Sequence, residues 1–145
     1  MHLFDDTHFD PARFIAEFQE GLHHALVADD EDLATVIDHF HSPDIRLNAD
    51  GQVMDREKLI AHCRPIRKTK PTNRVEVFEA IAEGDFLAAR FCMHVDRPRG
   101  DQMDHMIIHV NLFGRFTSDG KMRQTNMLTR METPSESASD GGSGS

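Results

Sequence analysis

Ten histidines and two cysteines are the side chains in this 145-residue sequence best suited to move protons or hold a metal, and their spacing decides which can act together. His39 and His41 stand about 200° apart around a helix, at about 100° per residue, and cannot share a ligand. The adjacent His23 and His24 diverge in the same way. His94 and His105 become cross-strand neighbours if the chain between them turns symmetrically near Gly100, which offers a proton relay or a metal pair. Two ligands do not make a metal site, and His105 and His109 lie about 13 Å apart on one strand at ~3.3 Å per residue. No metal and no cofactor are therefore expected. Cys63 and Cys92 sit amid apolar neighbours and read as buried, reduced thiols. The sequence has no Gly-rich phosphate loop, no Gly-x-Ser-x-Gly elbow and no His-Glu-x-x-His pair.

The composition narrows the partners. With 16 Lys and Arg against 25 Asp and Glu, the net charge is −9, so nucleic acid and an anionic membrane surface are both repelled. No apolar run approaches the ~18 to 20 residues of a membrane span, and the acidic start Met1-His-Leu-Phe-Asp-Asp6 lacks the bases of a secretory leader. A cytoplasmic location is expected. Residues 1–132 form one domain, and the Ser- and Gly-rich stretch 133–145 reads as a disordered tail or linker.

The elements that must position any site follow from periodicity. Asp10-Pro11 opens a helix that Phe14, Phe18, Leu22, Ala25 and Leu26 carry to about Val27. Leu33, Val36, Ile37 and Phe40 give a second, which Ser42-Pro43 stops. Ile45–Asn48 and Gln52–Met54 flank a turn at Ala49-Asp50-Gly51. Asp55 caps a third helix over about Arg56–Ile66. Alternating strands then run through Val75–Ile81, Leu87–Val95, Met106–Phe116 and Lys121–Met131, with a broad turn predicted at Asp96–Asp101. The order α-α-β-β-α-β-β-β-β predicts an α+β domain in which helices lie on one face of a curved antiparallel sheet.

Alternation assigns the faces. A symmetric turn near Gly100 sets Met93 opposite Met106, Phe91 opposite Ile108 and Ala89 opposite Val110; the next turn sets Leu112 opposite Thr125, Val110 opposite Met127 and Ile108 opposite Thr129. That face, under the helices, is apolar with a few hydroxyls. The other collects Arg90, Cys92, His94, His105, His109, Asn111 and Asn126, and reads as an outer face that is solvated or pairs with a second copy.

This arrangement resembles the nuclear-transport-factor-2-like superfamily, in its SnoaL-like and ketosteroid-isomerase-like branch of cone-shaped domains. The resemblance runs from about Phe9 to Glu132. It is carried by Asp32-Leu33 through Phe40-His-Ser-Pro-Asp44, Ile45-Arg-Leu-Asn-Ala-Asp-Gly51, Asp55-Arg-Glu-Lys-Leu-Ile60, Ala82-Glu-Gly-Asp85, Leu112-Phe-Gly-Arg-Phe116 and Asp119-Gly-Lys-Met122. It implies a pocket between the helices and the concave sheet face, and a homodimer through the convex face. It also places Asn48 where ketosteroid isomerases carry their Asp base, with Asp50 reached by a slip, His24 at their Tyr position and Leu112 at their neutral acid. An amide is no base, and the chain has no Tyr, so steroid isomerisation is not implied. The last strand lacks the acid that limonene-epoxide-hydrolase-like members use. SnoaL-like cyclases pair a pocket acid with a histidine, for which Asp104 and His24 are the candidates.

Two functions are expected from this reading. The first is a cofactor-independent acid–base enzyme of isomerase or cyclase type, acting on an apolar carbonyl-bearing or polycyclic molecule. In it His24 serves as acid or base, Asp104 as its partner, and Asn48 with Arg123 holds a substrate oxygen. Phe18, Phe91, Met93, Met106, Ile108, Val110, Leu112, Thr125, Met127 and Thr129 line the pocket. The second is a non-catalytic ligand-binding or dimerisation module of the same fold.

Overall fold

Asp10 ends an extended segment and its carboxylate accepts the Arg13 N–H at 3.2 Å, so α1 (Pro11–Ala28) starts where the Asp-Pro pair predicts. In this computed structural model, which describes residues 2–132, α2 (Leu33–Phe40) and α3 (Arg56–Thr69) begin in the same way, with Asp32 and Asp55 accepting the N–H groups of Thr35 and Lys58. The predicted tail and Met1 lie outside the described residues. Helix α3 continues past Ile66 through an internal Pro65, because its last turn is anchored to α1. The Arg67 guanidinium donates to the carbonyls of Ala25 and Leu26 and, beyond α1, to that of Glu31, and Lys70 donates to that of Val27, so these two cations pair three carbonyls that the end of α1 leaves open.

The strands are β1 (His41–Ala49), β2 (Gln52–Met54), β3 (Thr72–Glu83), β4 (Phe86–Arg99), β5 (Gln102–Phe116) and β6 (Met122–Glu132). The sheet order is β2-β1-β6-β5-β4-β3. The expected four-strand meander is present, and β1 adds to it in parallel alongside β6, making a mixed, curved, open sheet. Ser42-Pro43 does stop α2, but by passing straight into β1 at His41 rather than through a loop.

The register differs from expectation by two residues in both long hairpins. Gly100 takes a positive φ of 60°, which closes a tight turn at Gly100-Asp101 in place of the broad one and lets the strands run on through Pro98. Met93 therefore faces Ile108, Phe91 faces Val110 and Ala89 faces Leu112; across the next hairpin Leu112 faces Met127 and Val110 faces Thr129. A slip of two keeps every side chain on its predicted face but breaks the expected His94–His105 pair: Ile107 stands opposite His94, and His105 binds Asp96 at 2.6 Å.

The core fills the concave side. Phe4, Ile15, Phe18, Ile37, Phe91, Leu112 and Phe116 are among its buried members, and the rings of Phe4, Phe14 and Phe18 meet Phe116 edge-on at centroid distances of 5.1 to 5.9 Å. The Phe4 N–H donates to the Gly84 carbonyl at 2.9 Å, closing the narrow end of the cone. At the wide end β3 starts opposite Asp96, so residues 97–106 of β4 and β5 run on as a hairpin beyond β3, while β6 is described as far as Glu132, opposite Ile107.

Thr125 is buried on β6 against Gly114, where an added Cβ would come within 2.7 Å of its Oγ1, and that oxygen has no hydrogen-bond partner among the described residues. Valine keeps the shape and removes the unpaired hydroxyl. Thr125→Val is therefore expected to raise stability by about 1 kcal/mol, read from thermal unfolding, and a loss of similar size would show that Oγ1 is satisfied.

Candidate functional site

Helices α1 and α3 diverge from the sheet at the wide end and leave a cavity of about 360 Å³. Its wall is apolar: Phe18, Leu22 and Leu26 from α1, Leu59, Cys63 and Ile66 from α3, and Met93, Met106, Ile108 and Met127 from the sheet. Three histidines, Asn73 and Arg97 interrupt it. The stripe Gln19, Leu22, His23, Leu26 follows the i, i+3, i+4, i+7 spacing of one helix face, which is how α1 presents a histidine to the cavity.

Two imidazoles are fixed by backbone carbonyls. His23 Nε2 lies 2.6 Å from the Pro71 carbonyl, and His41 Nδ1 lies 2.9 Å from that of Ile37. A carbonyl can only accept, so each of those nitrogens carries the hydrogen; in the neutral rings Nδ1 of His23 and Nε2 of His41 are left as basic nitrogens. His41, 3% exposed and edge-on to Phe18 at 6.0 Å, is the deeper. Burial lowers its pKa below the ordinary histidine value, against the weaker opposing pull of the Ile37 carbonyl and Asp38. It is consequently neutral at pH 7. Burial also pushes the Cys63 thiol up to about 11, so it contributes as a protonated, apolar wall. Asn73 lines the cavity with a buried Oδ1 that no described residue bonds, while its amide nitrogen rests 3.9 Å from the Met93 sulfur.

Of the residues singled out from sequence, Phe18, Met93, Met106, Ile108 and Met127 line the cavity. Phe91, Val110, Leu112 and Thr125 are buried in the packed core, away from its walls. His24 is exposed, because one residue of α1 rotates the side chain about 100° and gives His23 the inward position. Asn48 points away from the cavity side that Leu47 occupies; its Oδ1 accepts the Gly51 N–H at 3.0 Å and holds the turn. A bulge leaves both Met122 and Thr125 facing the core and turns Arg123 outward, 3.7 Å from Asp44. Thr129 is exposed and held by the Asp50 carboxylate, which takes Asp50 out of reach as a base. Asp104 stands at the rim, 3.3 Å from Arg97, and its carboxylate orients that cavity-lining guanidinium. His41 and His23 are among the cavity residues that sequence reasoning misses: spacing sets His41 on a helix, diverging from His39, whereas it opens β1, and it selects His24 in place of His23.

No protein-family model matches this sequence, and no curated protein matches it. Solved structures do. A conserved protein from Planctomyces limnophilus DSM 3776 is 14% identical and superposes with a TM-score of 0.63, covering 83% of this chain and 96% of its own. The epoxide hydrolase/cyclase-like enzyme SalBIII, of pyran ring formation in the polyether salinomycin, is 12% identical with a TM-score of 0.62 and coverages of 85% and 95%. A candidate SnoaL-like polyketide cyclase from Shewanella denitrificans OS-217 is 12% identical with a TM-score of 0.59 and coverages of 86% and 93%. At these identities the likeness is one of architecture, and it gives the chain the SnoaL-like, nuclear-transport-factor-2-like fold.

Proposed function

We propose that the cavity binds a small, mostly apolar molecule bearing a carbonyl and a hydrogen-bond donor, and that His41 moves a proton on it without a cofactor. The observation that carries this reading is a buried, neutral imidazole with its tautomer fixed, lining an apolar cavity that Asn73 also lines with an oxygen unpaired among the described residues. A ligand hydroxyl or N–H would satisfy that oxygen, whose isolation otherwise costs roughly 1 to 3 kcal/mol. His41 Nε2 accepts a proton from the carbon beside the carbonyl and, as imidazolium, returns it to the product. His23 and Arg97, steadied by Asp104, serve the polar end of the ligand. Neighbours of this fold whose names include cyclase or epoxide hydrolase chemistry lend support at the level of fold. The outer sheet face exposes Phe78, Phe113 and Leu128, an apolar patch that supports pairing with a second copy.

Native mass spectrometry of the full chain purified from its own host tests both parts. The expected spectrum is a dimer carrying a small apolar adduct that denaturation releases, with the adduct gone in Met93→Trp, which fills the cavity. An adduct-free protein, or an adduct that persists in Met93→Trp, would overturn the binding reading; a monomer mass would overturn the pairing.

A further inference from the structure

On the opposite side of the sheet from the cavity, Glu76 of β3 and Cys92 and His94 of β4 bring three different ligand types together. The backbone fixes their meeting: Glu76 is the direct register partner of Cys92, and His94 follows two residues along the same face. Cys92 Sγ lies 3.4 Å from His94 Nε2 and 3.8 Å from Glu76 Oε1, and those two atoms are 3.2 Å apart. A tetrahedral zinc ion holds sulfur at about 2.3 Å and nitrogen or carboxylate oxygen at about 2.0 to 2.2 Å, so its ligand atoms are separated by about 3.3 to 3.6 Å. All three distances fall on one triangular face of that tetrahedron to within a few tenths of an ångström.

We propose that Glu76, Cys92 and His94 form a binding site for a zinc-class divalent ion, with a water in the fourth position. A thiolate and an imidazole select zinc-like ions over magnesium or calcium, which prefer oxygen. Cys92 is 2% exposed and forms the floor, while His94 and Glu76 are partly open to solvent and leave an entry path. His109, the register partner of Cys92 on β5, binds Glu132 at 2.8 Å and so does not take the fourth position. Binding is not a redox step: the Cys92 thiol releases its proton to solvent and its sulfur bonds the metal. The ion clasps β3 to β4 behind the cavity wall. The predicted absence of metal rested on histidine pairs alone, whereas this set mixes three residue types across two strands.

Cobalt(II) titrated into the full-length protein is the probe, because a cobalt–thiolate bond gives a charge-transfer absorption that histidine and carboxylate ligands cannot. The expected result is a band saturating at one cobalt per chain, displaced by zinc, kept in Cys63→Ala and lost in Cys92→Ala. His94→Gln, at a partly exposed position that leaves folding intact, is expected to weaken binding by more than the roughly 10- to 100-fold that loss of a ligand's supporting partner costs. Absence of the band in the parent chain, its survival in Cys92→Ala, or unchanged affinity in His94→Gln would each overturn the site.

Discussion

Replacing His41 with asparagine is expected to slow proton exchange on the cavity-bound ligand by about 10²- to 10⁴-fold, the usual contribution of a general base, with the fold intact. Asparagine places an N–H close to where His41 Nδ1 donates to the Ile37 carbonyl, so the bond that seats the side chain survives while the basic nitrogen is removed. The readout is deuterium uptake from heavy water at the ligand's C–H positions, followed by mass spectrometry, which needs no knowledge of the product. Equal uptake by parent and variant would place the base elsewhere. Stability carries a second signature. Burial lowers the His41 pKa, so as pH falls through the ordinary histidine value near 6.5 the unfolded chain takes up a proton that the folded chain resists. Stability attributable to His41 is thus complete above that value and declines below it, by up to about 1.4 kcal/mol per pH unit until the folded-state pKa is passed. His41→Asn is expected to lose less stability than the parent between pH 7 and pH 5.

The largest effect on stability is expected from Phe116→Ala, at about 3 to 5 kcal/mol. Phe116 is 1% exposed and meets Phe4, Phe14 and Phe18, so its ring joins the amino-terminal turn, α1 and β5. Three separate elements would have to move to close the hole, and interiors relax only partly. Against the 5 to 15 kcal/mol typical of a domain the loss is severe, and thermal unfolding should fall by roughly 10 °C or more. Phe78→Ala provides the contrast: that ring is exposed, with Arg90 over its face at 5.0 Å, and its removal should cost under about 1 kcal/mol. Equal costs for the two would mean that the phenylalanine cluster repacks freely. Because Phe18 touches Phe116 on one side and His41 on the other, the same cluster sets the floor on which the proposed base rests.

The fold was legible because its evidence is redundant. Three Asp residues cap three helices, and hairpin errors of two residues leave each side chain on its predicted face. The site was less legible because it depends on single residues. One position on α1 separates the inward His23 from the exposed His24; one bulged residue on β6 turns Arg123 from the cavity to the surface. Where α2 gives way to β1 mattered as much, since reading His41 as the end of a helix hid its place in the cavity. A sharper use of the α1 stripe could have found His23, which shares a face with Gln19 and Leu26, whereas His24 lies about 200° from Leu22. The Glu76–Cys92 meeting needed the β3–β4 register, which a bulge between Val77 and Glu79 shifts along the strand.

The ribbon at residues 97–106 divides the molecule by how it can evolve. Beyond Asp96, β4 has no β3 partner among the described residues, and a hairpin end with fewer partners opens at lower free energy than the centre of the sheet. The ribbon's base supplies Arg97 and Met106 to the rim, while the phenylalanine cluster lies at the other end of the cone. Under the proposed ligand-binding function, substitutions in the ribbon are expected to alter the rim while leaving the core that holds the floor in place. On that reading, selectivity and foldability would rest on separate parts of the molecule, the one at the lip and the other at the phenylalanine cluster.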